Sequence, residues 1–263
     1  MKLATFNVNG IGSRLPHLLQ WLEREAPDIV CLQELKVADT RFPAAQIRDA
    51  GYGAIWQGQK PLWNGVAILA RGTDPIELRR GLPGDAADTQ SRYLEAAVQG
   101  ILVGCLYLPN GNPQPGPKFD YKLAWFERLI AHAKGLVDSP HPVALVGDYN
   151  VVPTDELDIY NPRSWRKDAL LQPETRALWK RLLDQGWIDV TRERHPGDRI
   201  YSFWVNEAAY RRNAGFRMDF LMVTPDVYAR VRAEGIDHDL RTLEKPSDHA
   251  PVWLDLDSSA SRG

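Results

Sequence analysis

The sequence predicts one α/β domain in which helices cover strand-rich layers. Three observations carry this. Short apolar runs of strand length alternate with amphipathic helical stretches along the whole chain. Gly, Pro, Asp and Asn punctuate them, and no linker-like composition divides the chain. The 263 residues, 44% hydrophobic and 25% charged, suffice for a large core. There is no repeat of short period, only a looser two-halved rhythm, each half mixing strands with helices.

Lys2–Val8 reads as a strand and delivers Asn7 and Asn9 just before Gly10. Ser13 is placed to cap a helix running to about Glu25; Leu15, Leu18, Leu19 and Leu22 give it an apolar stripe, and Pro27 stops it. Asp28–Leu32 is a second buried strand, ending in Gln33-Glu34-Leu35-Lys36. Strand, helix and strand in succession join parallel neighbours when they stay in one sheet. Asn7 and Glu34 then arrive at corresponding strand ends. Pro43–Ala50 reads as a short helix. Tyr52–Gln57, Val66–Arg71, Ile76–Arg79, Tyr93–Val98 and Ile101–Leu108 read as strands, and Asn112–Pro117 as loop. Lys118–Val137 is the clearest helix, with Phe119, Leu123, Phe126, Ile130, Ala133 and Val137 every three or four residues. Val143–Val146 is a short buried strand leading into Gly147-Asp148-Tyr149-Asn150. Tyr160–Lys167 reads as polar and irregular, and Pro173–Gln185 as a helix ended by Gly186. Tyr201–Val205 and Phe220–Val223 read as strands, Pro225–Arg232 as helical, and Val252–Leu256 as the last strand. The domain spans residues 1–256, with 257–263 as a frayed tail.

Composition excludes several classes. No apolar run approaches the roughly 20 residues needed to span a membrane, and the chain enters a core strand at Leu3, so no signal or transit peptide is expected. Cys31 and Cys105 lie inside apolar runs, as buried free thiols of a reducing compartment and not as a disulfide or metal motif. A net charge of -2 argues against a protein that coats nucleic acid non-specifically. Between Arg163 and Arg217, however, twelve basic residues face seven acidic ones. Such local basic surface beside acidic strand ends suits a polyanionic substrate, although a solvated mixed surface has the same composition.

Polar residues stand at several strand ends: Asn7, Glu34, Tyr107, Asp148 with Asn150, Asp219, and Asp248 with His249. One such residue is a cap, and Gly-Asp-x-Asn alone is equally a strand ending in an Asx turn. Several converging are a site. Oxygen donors without thiolates select Mg²⁺ or Mn²⁺ over zinc. Glu34 and Asp248 are candidate carboxylate ligands with Asn7 nearby, and Asp148 and Asn150 are candidates for a second site. Asp148, Asn150 and His249 fit hydrolysis of a phosphate ester, which needs an oriented, deprotonated water and stabilised charge. Asp219 is placed to hold His249 in one tautomer and favour its cation. The bland alternatives are an ion pair of Asp219 with Arg217, a cap at Asp248 and a core role for Tyr107. The other five histidines are read as surface.

Phe6-Asn-Val-Asn-Gly10, Cys31-Leu-Gln-Glu-Leu-Lys36, Tyr107-Leu-Pro-Asn-Gly111, Gly147-Asp-Tyr-Asn150, Tyr201-Ser-Phe-Trp204, Arg217-Met-Asp219 and Ser247-Asp-His-Ala-Pro251 follow one another in this order. In this the chain resembles the exonuclease III family of abasic-site endonucleases, and its bacterial branch most. The resemblance implies a four-layered α/β sandwich: two mostly antiparallel sheets, of the six-stranded type, face to face with helices outside. It implies a Mg²⁺-dependent nuclease acting on duplex DNA, 5′ to abasic sites or at 3′ ends, in the bacterial cytoplasm and as a monomer. It implies Glu34 as main metal ligand with Asn7 and Asp248, and Asp148 as the group activating the water. Asn150 would stabilise the transition state, His249 would contact phosphate as partner of Asp219, and Tyr107 stands where the family places a catalytic tyrosine. Phe203, Trp204, Phe216 and Met218 resemble the family's apolar pocket for a sugar without its base. Lys36, Asn110 and Lys118 are candidate substrate contacts, as are Arg163 and Lys167 for phosphate. Two departures stand out: Leu35 replaces a small or β-branched residue, and Asn112–Pro117 carries no basic residue to wedge into DNA. A binding protein that has lost catalysis is the alternative class, and the filled acid-base positions argue against it.

Overall fold

The parallel pair expected from the first strand-helix-strand run is present. Lys2–Asn7 (β1) and Ile29–Gln33 (β2) run side by side, in register from Leu3 with Ile29 to Asn7 with Gln33. The structure, a computed structural model, describes residues 1–257. Its further strands are β3 (Tyr52–Gln57), β4 (Val66–Arg71), β5 (Ile76–Arg80), β6 (Tyr93–Val98), β7 (Ile101–Tyr107), β8 (Val143–Asp148), β9 (Ile188–Asp189), β10 (Asp219–Val223), β11 (Val231–Ile236) and β12 (Val252–Leu256). The helices are α1 (Ile11–Glu25), α2 (Ala44–Asp49), α3 (Pro117–Val137), α4 (Pro162–Trp165), α5 (Pro173–Leu183), α6 (Val190–Arg194), α7 (Glu207–Arg211) and α8 (Pro225–Tyr228).

The strands form two six-stranded sheets, ordered β11-β12-β1-β2-β4-β3 and β5-β6-β7-β8-β10-β9. Each holds one parallel pair, β1–β2 or β7–β8, joined by its own long helix, α1 or α3; the other pairings are antiparallel. The two-halved rhythm of the sequence is thus two copies of one sheet plan.

Side chains alternate along a strand, and three apolar layers follow. Between the sheets lie Leu3, Ile29, Cys31, Val103, Cys105, Ala144, Val146, Leu221, Val223, Val252 and Leu254. Outside the second sheet, Leu145, Phe220 and Met222 pack with Trp125, Phe126 and Leu129 of α3 and with Leu178 and Trp179 of α5. Outside the first, Ala4, Phe6, Val30 and Leu32 pack with Leu18, Trp21 and Leu22 of α1. Helix, sheet, sheet and helix are the four layers. Both cysteines are free and buried.

Several expectations need correction. The first helix starts at Ile11 behind Gly10, and no side chain caps it, Ser13 included. Residues 160–167 contain the short helix α4. The helix expected to reach Arg232 ends at Tyr228, and Val231–Ile236 instead pairs with β12 at the sheet edge. There Gly235 lies opposite Trp253, whose ring would be 2.7 Å from any added Cβ. Tyr201–Val205 is not a strand; Phe203 makes isolated bridges to Phe216 and His249. His132 is not free surface but packs half-buried against Glu95. Of the expected tail, Asp257 donates its amide to Arg230 O at 2.8 Å, and 258–263 lie outside the described residues.

Gly147 decides how β8 reaches its last residue. Its φ is +152°, and an added Cβ would stand 1.9 Å from Leu106 O on β7. Backbone cannot yield there as a flexible side chain does. We expect Gly147→Ala to cost about 3 kcal/mol, the upper range for overpacking. It should show as a lowered urea midpoint at unchanged slope; an unmoved midpoint would mean that β7 and β8 can spread.

Candidate active site

Inward-facing residues of β7, β8 and β10 are apolar until the strand's end at one edge of the sandwich, and on β1 only Thr5, bonded to Gln33, departs from this before that end. There the inward positions become Asn7, Tyr107, Asp148 and Asp219. Register places three of them in one row, Tyr107 beside Asp148 and Asp148 beside Asp219. Across the gap, Asn7 pairs with Gln33, and Glu34 follows at once. His249 arrives from the segment before β12, its amide bonded to Ser247 Oγ at 3.2 Å and that hydroxyl donating to Asn7 O at 2.7 Å.

The hydrogen bonds knit these ends into one cluster. Asn7 Nδ2 donates to Glu34 Oε1 at 2.9 Å and to Asp148 Oδ2 at 3.0 Å. Tyr107 donates its hydroxyl to Glu34 Oε1 at 2.9 Å. Arg92 lies over the Tyr107 ring, 4.8 Å from its centroid, and donates to the Tyr107 carbonyl. Asp148 Oδ1 accepts the Asn150 amide at 2.9 Å, which is an Asx turn. So the bland and the functional readings of Gly-Asp-x-Asn describe the same residues. Asn150 donates Nδ2 to Leu108 O and accepts from Asn110 Nδ2 at 3.3 Å. Backbone strain collects here too: Asn9, Glu34, Lys36 and Asn150 all have positive φ.

Asp219 Oδ2 lies 2.8 Å from His249 Nδ1 and accepts the Ser202 hydroxyl at 2.6 Å. The alternative pairing of Asp219 with Arg217 does not occur. Arg217 is buried in a network with Asp158 and Asp189 instead. Burial opposes the His249 cation, but Asp219, helped by Asp148 and Asp248, outweighs it and raises the imidazole to about 10. His249 Nε2 faces Asp148 Oδ2 at 3.8 Å, beyond hydrogen-bonding range. Burial pushes the Asp148 carboxyl up to about 7 against the pull of His249, with Asp219 and Glu34 adding repulsion. Burial also opposes ionisation of Glu34, yet Lys36 and Asn7 hold it below the ordinary range. The Tyr107 hydroxyl is pushed well up by burial, with Glu34 and Asp148 adding repulsion. It is a neutral donor.

Ligand atoms of Glu34, Asp148 and His249 lie within 4.8 Å of one another. Since His249 is protonated against Asp219, the available donors are the two carboxylates. This hard oxygen set without sulfur fits a divalent cation such as Mg²⁺. Asp248 is not brought into that group. It accepts from Asn9 Nδ2 at 2.9 Å, and Asn9 in turn takes Lys36, which pairs with Glu34 at 2.7 Å. Asn7 turns its amide nitrogen to the carboxylates, and its Oδ1 takes the Asn9 amide.

Phe203, Phe216 and Met218 form one apolar cluster with Ile159, Leu170, Leu171 and Trp165. The Phe203 ring lies 4.8 Å from that of His249. Trp204 corrects an expectation: it is fully buried in a separate cluster with Tyr201, Ala209 and Ala250, with no surface to offer a ligand. On the other flank a cleft of about 660 Å³ is lined by Glu34, Lys36, Trp63, Arg92, Tyr107, Asn110 and Lys118. Arg163 and Lys167 are exposed outside its walls.

Sequence reasoning assigned no role to Asn9, Arg92, Ser202 or Lys122. Asn9 left a signal as a polar residue beside Asn7 at the first strand's end, and Lys122 left one by standing three after Phe119 and four before Phe126, on the buried face of α3.

A model of the endonuclease/exonuclease/phosphatase family matches residues 4–249. The chain belongs to that family. It is 35% identical to exodeoxyribonuclease III of Haemophilus influenzae over 97% of this chain and 100% of that protein. It is 30% identical to an exodeoxyribonuclease of Bacillus subtilis, covering 97% and 98% of the two chains. Among solved structures, a 3′ phosphatase from Neisseria bound to a product DNA hairpin superimposes with a TM-score of 0.93 at 36% identity, over 98% of this chain and 100% of that one. An AP endonuclease from Archaeoglobus fulgidus gives 0.92 at 36% identity with the same coverage. The chain is an enzyme of the phosphodiester-hydrolysing kind, and among its described residues no helix is long and apolar enough to cross a membrane.

Proposed function

We propose that the protein is a DNA repair nuclease of the bacterial cytoplasm, hydrolysing phosphodiesters 5′ to abasic sites and phosphoesters at 3′ ends of duplex DNA. The observation that carries this is the contact of Phe203 with His249, which sets a half-buried aromatic ring, backed by the buried Phe216 and Met218, against the phosphate-directed imidazole. A sugar lacking its base suits such a wall. The bacterial exodeoxyribonuclease relatives and the AP endonuclease neighbour support the same substrate class. One chain supplies every residue of the cluster, in keeping with a monomer.

Glu34 and Asp148 are the residues we assign to a bound Mg²⁺, with Mn²⁺ as substitute. Asn7 orients both carboxylates, and Asp248 contributes through Asn9. When bound, the ion supplies Lewis acidity at a phosphate oxygen. The chain does the rest. Asp148 Oδ2 accepts or aims the proton of the attacking water. The His249 cation donates Nε2–H to a phosphate oxygen, and Asn150 and Asn110 add neutral amide donors beside it. Tyr107 keeps Glu34 fixed. Lys36 and Lys118 meet flanking phosphates along the cleft.

A panel of duplexes tests the reading: one with a single abasic analogue, one with a 3′-phosphate and one with a recessed 3′ end. Incision 5′ to the abasic position, abolished by EDTA and restored by Mg²⁺, is expected. Inert DNA together with hydrolysis of an inositol or lipid phosphate would sink the assignment.

A further inference from the structure

Lys122 carries a primary amine on the buried face of α3 and is completely shielded from solvent. No carboxylate forms a salt bridge with it among the described residues. Its Nζ donates instead to two main-chain carbonyls, of Asn110 at 3.1 Å and of Asn150. Burying a lysine amine against neutral acceptors is costly, and burial pulls it down to about 7; the side chain also displaces what would be an apolar knob between Phe119 and Phe126. The cost is met at one place in the molecule, where the loop after β7 and the turn after β8 meet.

Those two segments carry the amides that flank Asp148. Asn110 Nδ2 bonds to Asn150 Oδ1, and the Asn150 amide caps Asp148 Oδ1. Asn150 holds this position in the left-handed region, at φ +44°. The loop also wraps the lysine stem: Gly111 has φ +87°, and an added Cβ would be 2.6 Å from Lys122 Cδ. Two turns with left-handed backbone thus converge on one buried amine.

Building on the nuclease reading, we propose that Lys122 is a positioning residue. Its amine fixes the carbonyls of Asn110 and Asn150, and through them the side-chain amides and the Asp148 carboxylate that face substrate. It touches no substrate itself.

Lys122→Met keeps the stem and removes the donor; Lys122→Gln keeps a donor on a shorter stem. Leu129→Ala, buried on the same helix but remote from the turns, serves as the stability control. For either Lys122 variant, kcat on the abasic duplex should fall roughly 10- to 100-fold, the scale of a slight misplacement of reacting groups, with KM within about threefold. Amide exchange should accelerate about tenfold or more at Asn112 and Asn150 and hold at Leu145 in β8. Leu129→Ala should lose stability while keeping kcat. Wild-type kcat and unchanged exchange at those two amides, in whichever variant folds, overturn the proposal. So does an equal loss of kcat in Leu129→Ala. If the wild-type protein leaves abasic DNA intact, the functional reading falls by itself, and the exchange pattern still decides the role of Lys122.

Discussion

Asp148→Asn is expected to lower kcat on an abasic-site duplex by roughly 10³-fold, within the range for lost acid-base help. The substitution removes the charge and the proton acceptor while keeping the shape. It also reverses one hydrogen bond. Asp148 Oδ1 takes the Asn150 amide and Oδ2 takes Asn7 Nδ2. An asparagine that still accepts from Asn150 must present its own NH₂ to that of Asn7. Part of the loss will therefore be geometric, and kcat should be measured with KM and the thermal midpoint. A kcat within tenfold of wild type would remove Asp148 from the chemistry.

The pH profile makes the same point without a mutation. Burial raises Asp148 to about 7 in the protein without bound ions. The carboxylate is the useful form, so activity should rise with pH on the acidic side. A cation beside Glu34 and Asp148 favours the ionised form, so raising Mg²⁺ should move that limb to lower pH. Asp148→Asn should abolish the limb. An acidic limb unmoved by Mg²⁺ would assign it to another group.

The layers were legible because strand periodicity and helical stripes are local. Runs such as Val66–Arg71 and Tyr93–Val98 fall where the apolar pattern puts them. One edge of the first sheet was not legible. Val231–Ile236 mixes Arg232, Glu234 and Gly235 and becomes a strand only because β12 offers a partner. Tyr201–Val205 errs the other way: its aromatic run looks like a strand, but its backbone bonds go to Phe216, Asp248 and Ala250 in turn. Of the site, the strand-end residues were readable because a polar residue after an apolar run is anomalous by itself. What surrounds them was not. Asn9 is in sequence only a second polar residue beside Asn7, Ser202 and Arg92 are ordinary loop polar residues, and only folding sets the three against Asp248, Asp219 and Tyr107. The placement of Asp248 outside the Glu34–Asp148 group is likewise a matter of side-chain direction.

Asp219→Asn should act through His249, and the direction of its pH effect separates charge from structure. Asp219 is buried, with Oδ1 unpartnered among the described residues and Oδ2 shared by Ser202 and His249. With lesser help from Asp148 and Asp248 it raises the imidazole from 6.5 to about 10 against burial. An asparagine there leaves burial as the dominant influence, and burial favours the neutral ring. At pH 7.5 the variant should carry a neutral His249 and lose roughly 10²-fold in kcat, as for a missing electrostatic group at phosphate. The alkaline limb, near 10 in wild type, should move to lower pH, so the deficit should shrink as the pH is lowered. His249→Asn should lose a similar factor at every pH, with no recovery in acid. Stability follows the same sign. A histidine raised on folding contributes fully below 6.5, and that contribution is lost as pH climbs through about 10. Wild type should therefore lose stability across that window, and Asp219→Asn should not. A variant with an unmoved alkaline limb would show that Asp219 orients the ring without governing its charge.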